Sequence, residues 1–334
     1  MRVGYKLSGE HKSLPYEELK ALLELYNYKN SIHRLGRYVI TKESYGKEIV
    51  DRAGYIDESH EILYIHNNLN LNEFYNNINN LNFQINGSFA VRTLKLDKEY
   101  CKDINSLDVE REVGRIIKEK TNAKVNLSNP DNLIKVVFLR NRIILGKVIA
   151  QRDREYFKKN RPHLRKFFHP GCILPKLARA MVNLARVKEG DIVLDPFCGT
   201  GGFLIEAGLL GAKLIGVDID WRMAKGTLIN LEEYNLLDRV IKVECLDSKN
   251  IKEFLNNLGI DKVDAIITDP PYGISTAKKG EIEKILNILI DVLKDDGYFV
   301  FAYNRFVKLD LELKNLFKIY IHKNLIRHIH IYHK

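Results

Sequence analysis

Apolar residues recurring every three to four positions, and shorter runs of alternating apolar and polar residues, divide the chain into amphipathic helices and strands. Arg2 to Leu7 reads as a strand, and Pro15 opens a helix with Leu19, Leu22 and Leu23 at helical spacing. The asparagine-rich stretch from Asn67 to Asn82 places Leu71, Phe74, Ile78 and Leu81 on one stripe. That predicts an amphipathic helix despite asparagine's poor propensity. Phe89 to Leu94 predicts a strand, and Asp108 to Lys120 a helix with Val109, Val113, Ile116 and Ile117 on one face. A turn rich in capping residues follows, Val125-Asn126-Leu127-Ser128-Asn129-Pro130-Asp131. Ile134 to Leu139 and Ile143 to Ile149 then form a hairpin through Arg140-Asn141-Arg142.

In the second half, apolar strand runs alternate with helical ones, which predicts an α/β fold with a mostly parallel sheet. A helix carries Leu177, Met181 and Leu184 on one side. Strands follow at Ile192 to Leu194, Lys213 to Val217, Val243 to Ser248 and Ala265 to Thr268. The last strand, Arg327 to His333, alternates polar and apolar residues and is expected to pair antiparallel with Phe317 to Ile321. That alternation accounts for its histidines without a metal.

The chemistry sits at the ends of these strands. Asp269-Pro270-Pro271-Tyr272-Gly273 reads as a pocket for methylating an exocyclic amino group of a nucleobase. Such a nitrogen is a poor nucleophile because its lone pair is delocalised into the ring. Two acceptors must hold its hydrogens and draw it toward a tetrahedral geometry. Asp269 and the carbonyl of Pro270 supply acceptors, and Tyr272 supplies a face for an extruded base. The bland reading is a surface turn, since Pro and Gly punctuate loops everywhere.

Upstream, Asp195-Pro196-Phe197-Cys198-Gly199-Thr200-Gly201-Gly202 joins a strand to an apolar helix. Glycines at 199, 201 and 202 let the backbone pass close beneath a ligand. Asp218 ends the next strand about 20 residues on, the usual place of an acid that holds ribose hydroxyls. Asp247 ends a third strand, placed to receive an adenine amino group or simply to cap a helix. A dinucleotide site would want glycine where the chain has Leu204, and Asp195 would repel a pyrophosphate. S-adenosylmethionine, whose amino acid portion is cationic, fits better. Cys198 is read as a small residue that fits the loop, because methyl transfer to an amine needs no thiol.

Composition bounds the rest. The chain has 334 residues, 45% of them hydrophobic, enough for two or three domains with their own cores. No apolar stretch approaches membrane-spanning length and the first residues do not read as a signal peptide, so a cytoplasmic protein away from membranes is expected. Four cysteines without metal-type spacing predict neither a zinc site nor a disulfide framework. A formal net charge of +10 suits a polyanionic partner. Arg152, Arg154, Lys158, Lys159, Arg161, Arg165 and Lys166 lie among Tyr156, Phe157, Phe167 and Phe168, as expected of a linker that meets a phosphate backbone and exposed bases, or of a solvated one whose aromatics dock nearby.

From about Phe168 onward the motif set resembles the Rossmann-like S-adenosylmethionine-dependent methyltransferases of nucleobase amino groups. Phe89-Ala90-Val91-Arg92 and Val125 to Asp131 resemble a THUMP domain, of the kind found in RNA-modifying enzymes that grip the 3′ end of tRNA. Together with Lys6-Leu7-Ser8-Gly9-Glu10-His11 and Phe168-His169-Pro170-Gly171, the whole resembles the archaeal tRNA guanine-N2 dimethyltransferases, which act on guanosine at position 10. The resemblance implies an α/β Rossmann-like methyltransferase sheet with an antiparallel last strand, preceded by an α+β THUMP-like region. Its expected boundaries are 1–85 for an N-terminal ferredoxin-like region, 86–151 for the THUMP-like domain, 152–168 for the linker and 169–334 for the methyltransferase. Removal of residues up to about 150 should then leave the remainder folded.

It further implies Asp269, Pro270 and Tyr272 as the base-orienting residues. Asp195, Pro196, Gly199, Gly201, Asp218, Ile219, Asp247, Ser248 and His169 would hold S-adenosylmethionine, and Arg92, Arg154, Lys158, Lys159, Arg161, Arg165 and Lys166 the RNA. No metal is implied. A monomer acting on tRNA is expected, with a small activator protein left open. Competing readings are a guanine-N2 enzyme for another tRNA or rRNA position, a DNA adenine-N6 methyltransferase, and a catalytically silent RNA-binding protein.

Overall fold

The structure is a computed structural model that describes residues 1–272, 281–323 and 325–334; Gly273, which ends the Asp-Pro-Pro-Tyr-Gly run, lies outside the described residues. The chain divides into two compact units. One comprises Met1–Glu10, Tyr28–Asp51 and Ile56–Arg152, and the other His11–Asn27, Arg52–Tyr55 and Asp153–Lys334.

In chain order the first half contains β1 (Val3–Leu7), α1 (Leu14–Leu25), β2 (His33–Leu35), β3 (Tyr38–Thr41), α2 (Gly46–Arg52), β4 (Ile56–His66), α3 (Leu71–Asn79), β5 (Ser88–Lys95), α4 (Ser106–Thr121), β6 (Lys124–Val125), β7 (Asn132–Leu139) and β8 (Arg142–Gln151). All eight strands share one sheet, ordered β2-β3-β1-β4-β8-β7-β5-β6. Strands from both sides of residue 85 meet where β4 pairs antiparallel with β8, with Ile65 opposite Ile144. The asparagine-rich segment is helical as its apolar stripe predicts. Asn70 caps it by accepting from the N–H groups of Asn72 and Glu73, and Phe74 and Ile78 bury against Val113, Ile117 and Phe138. Asparagine at the cap offsets asparagine in the body.

The second half contains α5 (Arg154–Lys159), α6 (Pro175–Leu184), β9 (Ile192–Asp195), α7 (Gly202–Gly208), β10 (Lys213–Asp218), α8 (Trp221–Glu233), β11 (Val240–Cys245), α9 (Ile251–Asn257), β12 (Val263–Thr268), α10 (Glu281–Asp291), β13 (Leu293–Tyr303), β14 (Glu312–His322) and β15 (Leu325–His333). Its sheet runs β11-β10-β9-β12-β13-β15-β14. The first five strands pair in parallel, and β15 pairs antiparallel with both neighbours. This is the mostly parallel sheet with an antiparallel end that the sequence predicts. The chain winds outward from β9 through β10 to β11, then resumes on the other side of β9 at β12. Strand order therefore reverses between β9 and β12, the place where an open α/β sheet leaves a crevice at its strand ends.

Two segments group differently from the sequence expectation. Helix α1 and residues 52–55 belong to the C-terminal unit, tied there by Glu18. Its buried carboxylate accepts from the Gly54 and Tyr55 N–H groups, each at 2.7 Å, and from Asn183 Nδ2 at 2.8 Å. In the basic segment, Phe167 docks on α8, the second of the two sequence readings for its aromatics. Asn230 bonds both the N–H and the carbonyl of Phe167 at 2.9 Å, and the Phe167 ring lies so close to Gly226 that a β-carbon there would fall 2.1 Å from it.

Candidate active site

The end of β9 puts Asp195 in the crevice, only 1% exposed. Its Oδ1 accepts from Thr268 Oγ1 at 2.7 Å and from the Phe197 N–H at 3.2 Å, which couples the tips of β9 and β12. Gly199 and Gly201 both take left-handed backbone angles, φ +53° and +79°. A β-carbon on Gly201 would press to 3.0 Å from the Thr227 methyl, so the loop can turn into α7 only with glycine there. At the end of β10, Asp218 accepts from the Gly199 N–H at 2.9 Å and from the Asp220 N–H at 3.0 Å. The acid thereby holds the glycine loop as well as facing the crevice.

Asp247 lies just beyond β11. It caps the short turn at Ser248–Asn250 by accepting from the Lys249 N–H at 3.0 Å, the plainer of the two sequence readings, while still facing the same space. Ser248 is buried and donates to the Pro196 carbonyl. Cys198 is buried, and burial pushes its thiol well above the ordinary range, away from any nucleophilic role.

At the end of β12 the chain leaves the sheet through Asp269, Pro270, Pro271 and Tyr272. The Tyr272 hydroxyl donates to Asp269 Oδ1. Arg327, on β15 and 7% exposed, completes the group. Its Nε donates to the Tyr272 hydroxyl at 2.8 Å, and its Nη2 lies 3.2 Å from Asp269 Oδ2. Burial raises the Asp269 carboxyl to about 6, opposed by the charge of Arg327 and the Tyr272 hydrogen bond. Burial likewise raises Asp195 to about 7 and lifts Asp218. Several acids are thus held where a cation would relieve them.

One cavity of about 680 Å³ joins the two groups. Asp195, Gly199, Asp218, Ile219, Asp247, Ser248 and His169 line it together with Asp269, Pro270 and Tyr272. Among the donor and base candidates, Pro196 and Gly201 are not on its wall. They act behind it, through the Ser248 bond and the turn into α7.

Sequence reasoning missed Arg327. In the alternation Arg-His-Ile-His-Ile it resembles any outward-facing strand residue, and only the pairing of β15 turns it toward Asp269. The neighbouring His330 is buried, its Nε2 accepting from the Val307 N–H at 3.0 Å, with its ring stacked 4.3 Å from Phe301. Among the described residues no group of three or more His, Cys, Asp or Glu side chains is placed so that it could hold a metal ion.

The candidate RNA contacts separate. Arg154, Lys158, Lys159, Arg161 and Lys166 are exposed, with Lys158 paired to Glu155 at 2.6 Å. Arg92 belongs to the N-terminal unit, where its Nη2 donates to the Leu127 carbonyl at 2.8 Å. Arg165 departs from the expectation. At 6% exposure its guanidinium lies inside the C-terminal unit, 6.0 Å from the Tyr234 ring centre, so it offers no surface charge. Among the described residues no helix is long and apolar enough to cross a membrane.

Residues 162–305 match the family model of the RMKL-like methyltransferase domain. Residues 42–229 match a DNA methylase model, a match that ends before Asp269. TrmN from Thermus thermophilus shares the fold with a TM-score of 0.57, at 19% identity over 100% of both chains. The tRNA (guanine(10)-N2)-dimethyltransferase of Methanocaldococcus jannaschii is 64% identical over 99% of each chain. The enzyme of the same name from Methanothermobacter thermautotrophicus is 38% identical over 97% of each. With its acidic strand ends, glycine loop and Asp-Pro-Pro-Tyr segment around one cavity, the chain belongs to the tRNA (guanine(10)-N2)-dimethyltransferase family.

Proposed function

We propose that the protein transfers methyl groups from S-adenosylmethionine to N2 of guanosine 10 in tRNA, adding first one and then a second. The observation that carries this reading is the shared cavity, which holds the base-orienting Asp269 and Tyr272 beside the glycine loop and its acids. The donor set fits S-adenosylmethionine. Left-handed glycines bring the backbone close to a ligand, and the raised Asp195 and Asp218 carboxyls are stabilised as anions by a cationic ligand. When bound, this donor supplies a methyl group already activated on a sulfonium.

The chain's own residues position and stabilise. Asp195 and the glycine loop hold the methionine portion, with Pro196 bracing the loop. Asp218 takes the ribose hydroxyls. Asp247 takes the adenine amino group, flanked by Ile219, Ser248 and His169. Asp218 already accepts two backbone N–H groups, but a carboxylate offers about four lone-pair sites, so capacity remains. Asp269 and the Pro270 carbonyl accept from the guanine amine, and Tyr272 stacks on the base. The amine is too weak an acid to ionise first, so its proton leaves with or after transfer. Asp269 stabilises the positive charge developing on nitrogen. The N-terminal unit, with its THUMP-like segment, and the exposed basic residues between 154 and 166 grip the tRNA. The enzyme works as a cytoplasmic monomer.

Asp269→Ala tests the assignment. Transfer to a tRNA transcript should be abolished while titration with S-adenosylmethionine stays near wild type; parallel loss of both would place Asp269 in donor binding instead. A transcript carrying adenosine at position 10 should accept no methyl, and one methylated as well as the natural sequence would move the target elsewhere.

A further inference from the structure

We propose that Arg327 is the positioning residue of the base pocket: its guanidinium fixes Asp269 and Tyr272 in one arrangement and keeps the Asp269 carboxylate an acceptor for the substrate amine. The inference rests on the proposed role of Asp269 as orienter of that amine.

Two hydrogen bonds run from Arg327 through Tyr272 to Asp269, and an ion pair between Arg327 and Asp269 closes the group. Tyr272 gives its only hydroxyl proton to Asp269 Oδ1, so its oxygen must accept from Arg327, as the 2.8 Å Nε contact shows. Arg327 Nη2 reaches Asp269 Oδ2 at 3.2 Å and the Gly171 carbonyl at 3.0 Å, tying the loop before α6 to the same fork. The Tyr272 ring meets Tyr303 edge-on at 5.8 Å. Hydroxyl and ring edge are thus both held, which fixes the plane on which a base would stack.

The acceptor count leaves room for substrate. Among the described residues each Asp269 oxygen receives one polar side-chain contact, and a carboxylate offers about four lone-pair sites, so sites remain for an amine. A protonated carboxyl would present a donor O–H there and repel the amine hydrogens. Among the described residues, the other titratable groups around the cavity are Asp195 from β9, Cys198 from the glycine loop, Asp218 from β10, Asp247 and Lys249 beyond β11, and His169 and Cys172 from the loop before α6. Burial favours a protonated Asp269. Arg327 is the guanidinium in direct contact that opposes it.

Wild type, Arg327→Gln and Arg327→Lys are to be compared in two measurements. In the first, aspartate labelled with ¹³C at the side-chain carboxyl is titrated by NMR, with the Asp269 signal identified by its loss in Asp269→Asn. Removing an opposite charge in contact should raise the Asp269 midpoint in Arg327→Gln by about one pH unit or more, while Arg327→Lys stays near wild type. In the second, methyl transfer to tRNA is followed across pH. Arg327→Gln should lose about tenfold or more in kcat at neutral pH with KM for tRNA nearly unchanged, and regain part of it as pH rises. Arg327→Lys should still lose kcat, because an ammonium cannot reproduce the planar fork.

An unmoved midpoint in Arg327→Gln, or a loss confined to KM, overturns the proposal. Should Arg327→Gln fail to fold, wild-type kcat in Arg327→Lys overturns it equally. Failure of wild type to methylate guanosine 10 would instead refute the substrate assignment, and the aspartate titration would still decide the role of Arg327.

Discussion

Asp195 is the residue whose burial has the plainest energetic consequence. Burial, with Asp218 and Asp269 facing it, raises its carboxyl to about 7, and burial raises Asp269 to about 6. Both lie above the unfolded value of about 3.9 for aspartate. The folded protein therefore holds protons that the unfolded chain has released between about pH 4 and 7, and stability falls as pH rises through that window. Above about pH 7 both states are ionised and the contribution levels off. Asp195→Asn keeps an acceptor for Thr268 and Phe197 but removes the buried charge. Its melting temperature near pH 7.5 should exceed that of wild type by about 3 °C or more, with a flatter slope from pH 4 to 7. S-adenosylmethionine should bind the variant more weakly by calorimetry. An unaltered slope would mean that this carboxylate is not the source of the pH dependence.

At the scale of elements, α1 shows how a helix can be legible in sequence while its place in the molecule is not. Its apolar spacing gives the helix and the buried face, but nothing local says which unit that face joins. The deciding contacts run from Glu18 to Gly54, Tyr55 and Asn183, far away in sequence. Glu18→Ala leaves three buried donors short of an acceptor and should cost about 3 kcal/mol or more, measured by urea unfolding. A destabilisation below about 0.5 kcal/mol would show that solvent replaces the carboxylate. The strand ends are the most legible part of the site, because a parallel sheet delivers every strand tip to one edge. Asp195, Asp218, Asp247 and Asp269 can therefore be grouped from spacing alone. Arg327 cannot, since its approach depends on the antiparallel insertion of β15 between β13 and β14. Residues 154 to 167 resemble a linker for a related reason: aromatics among basic residues look alike whether they await RNA or pack on α8, as Phe167 does.

For the molecule as a whole, the division into units changes which experiments can isolate RNA binding. Cutting the chain near residue 150 would remove α1 and residues 52–55 from the C-terminal unit, uncovering the apolar core surface on which Leu14, Ala21 and Tyr55 pack. Such a fragment should aggregate or melt early, so its failure to act on tRNA would say nothing about grip. Charge removal on the full chain avoids that difficulty. Replacing Lys159, Arg161 and Lys166 with glutamine takes three exposed charges from a protein of net charge +10 without touching the core. If these residues neutralise phosphates, tRNA affinity should weaken and the dependence of log K on log salt should become shallower by about 0.7–0.9 for each phosphate left unneutralised. Arg165→Gln supplies the contrast: its buried guanidinium should affect the melting temperature and leave the salt slope unchanged. A salt slope that moved with Arg165 and not with the three exposed residues would assign phosphate binding to a different surface, because the slope counts charges that displace counterions and is indifferent to packing.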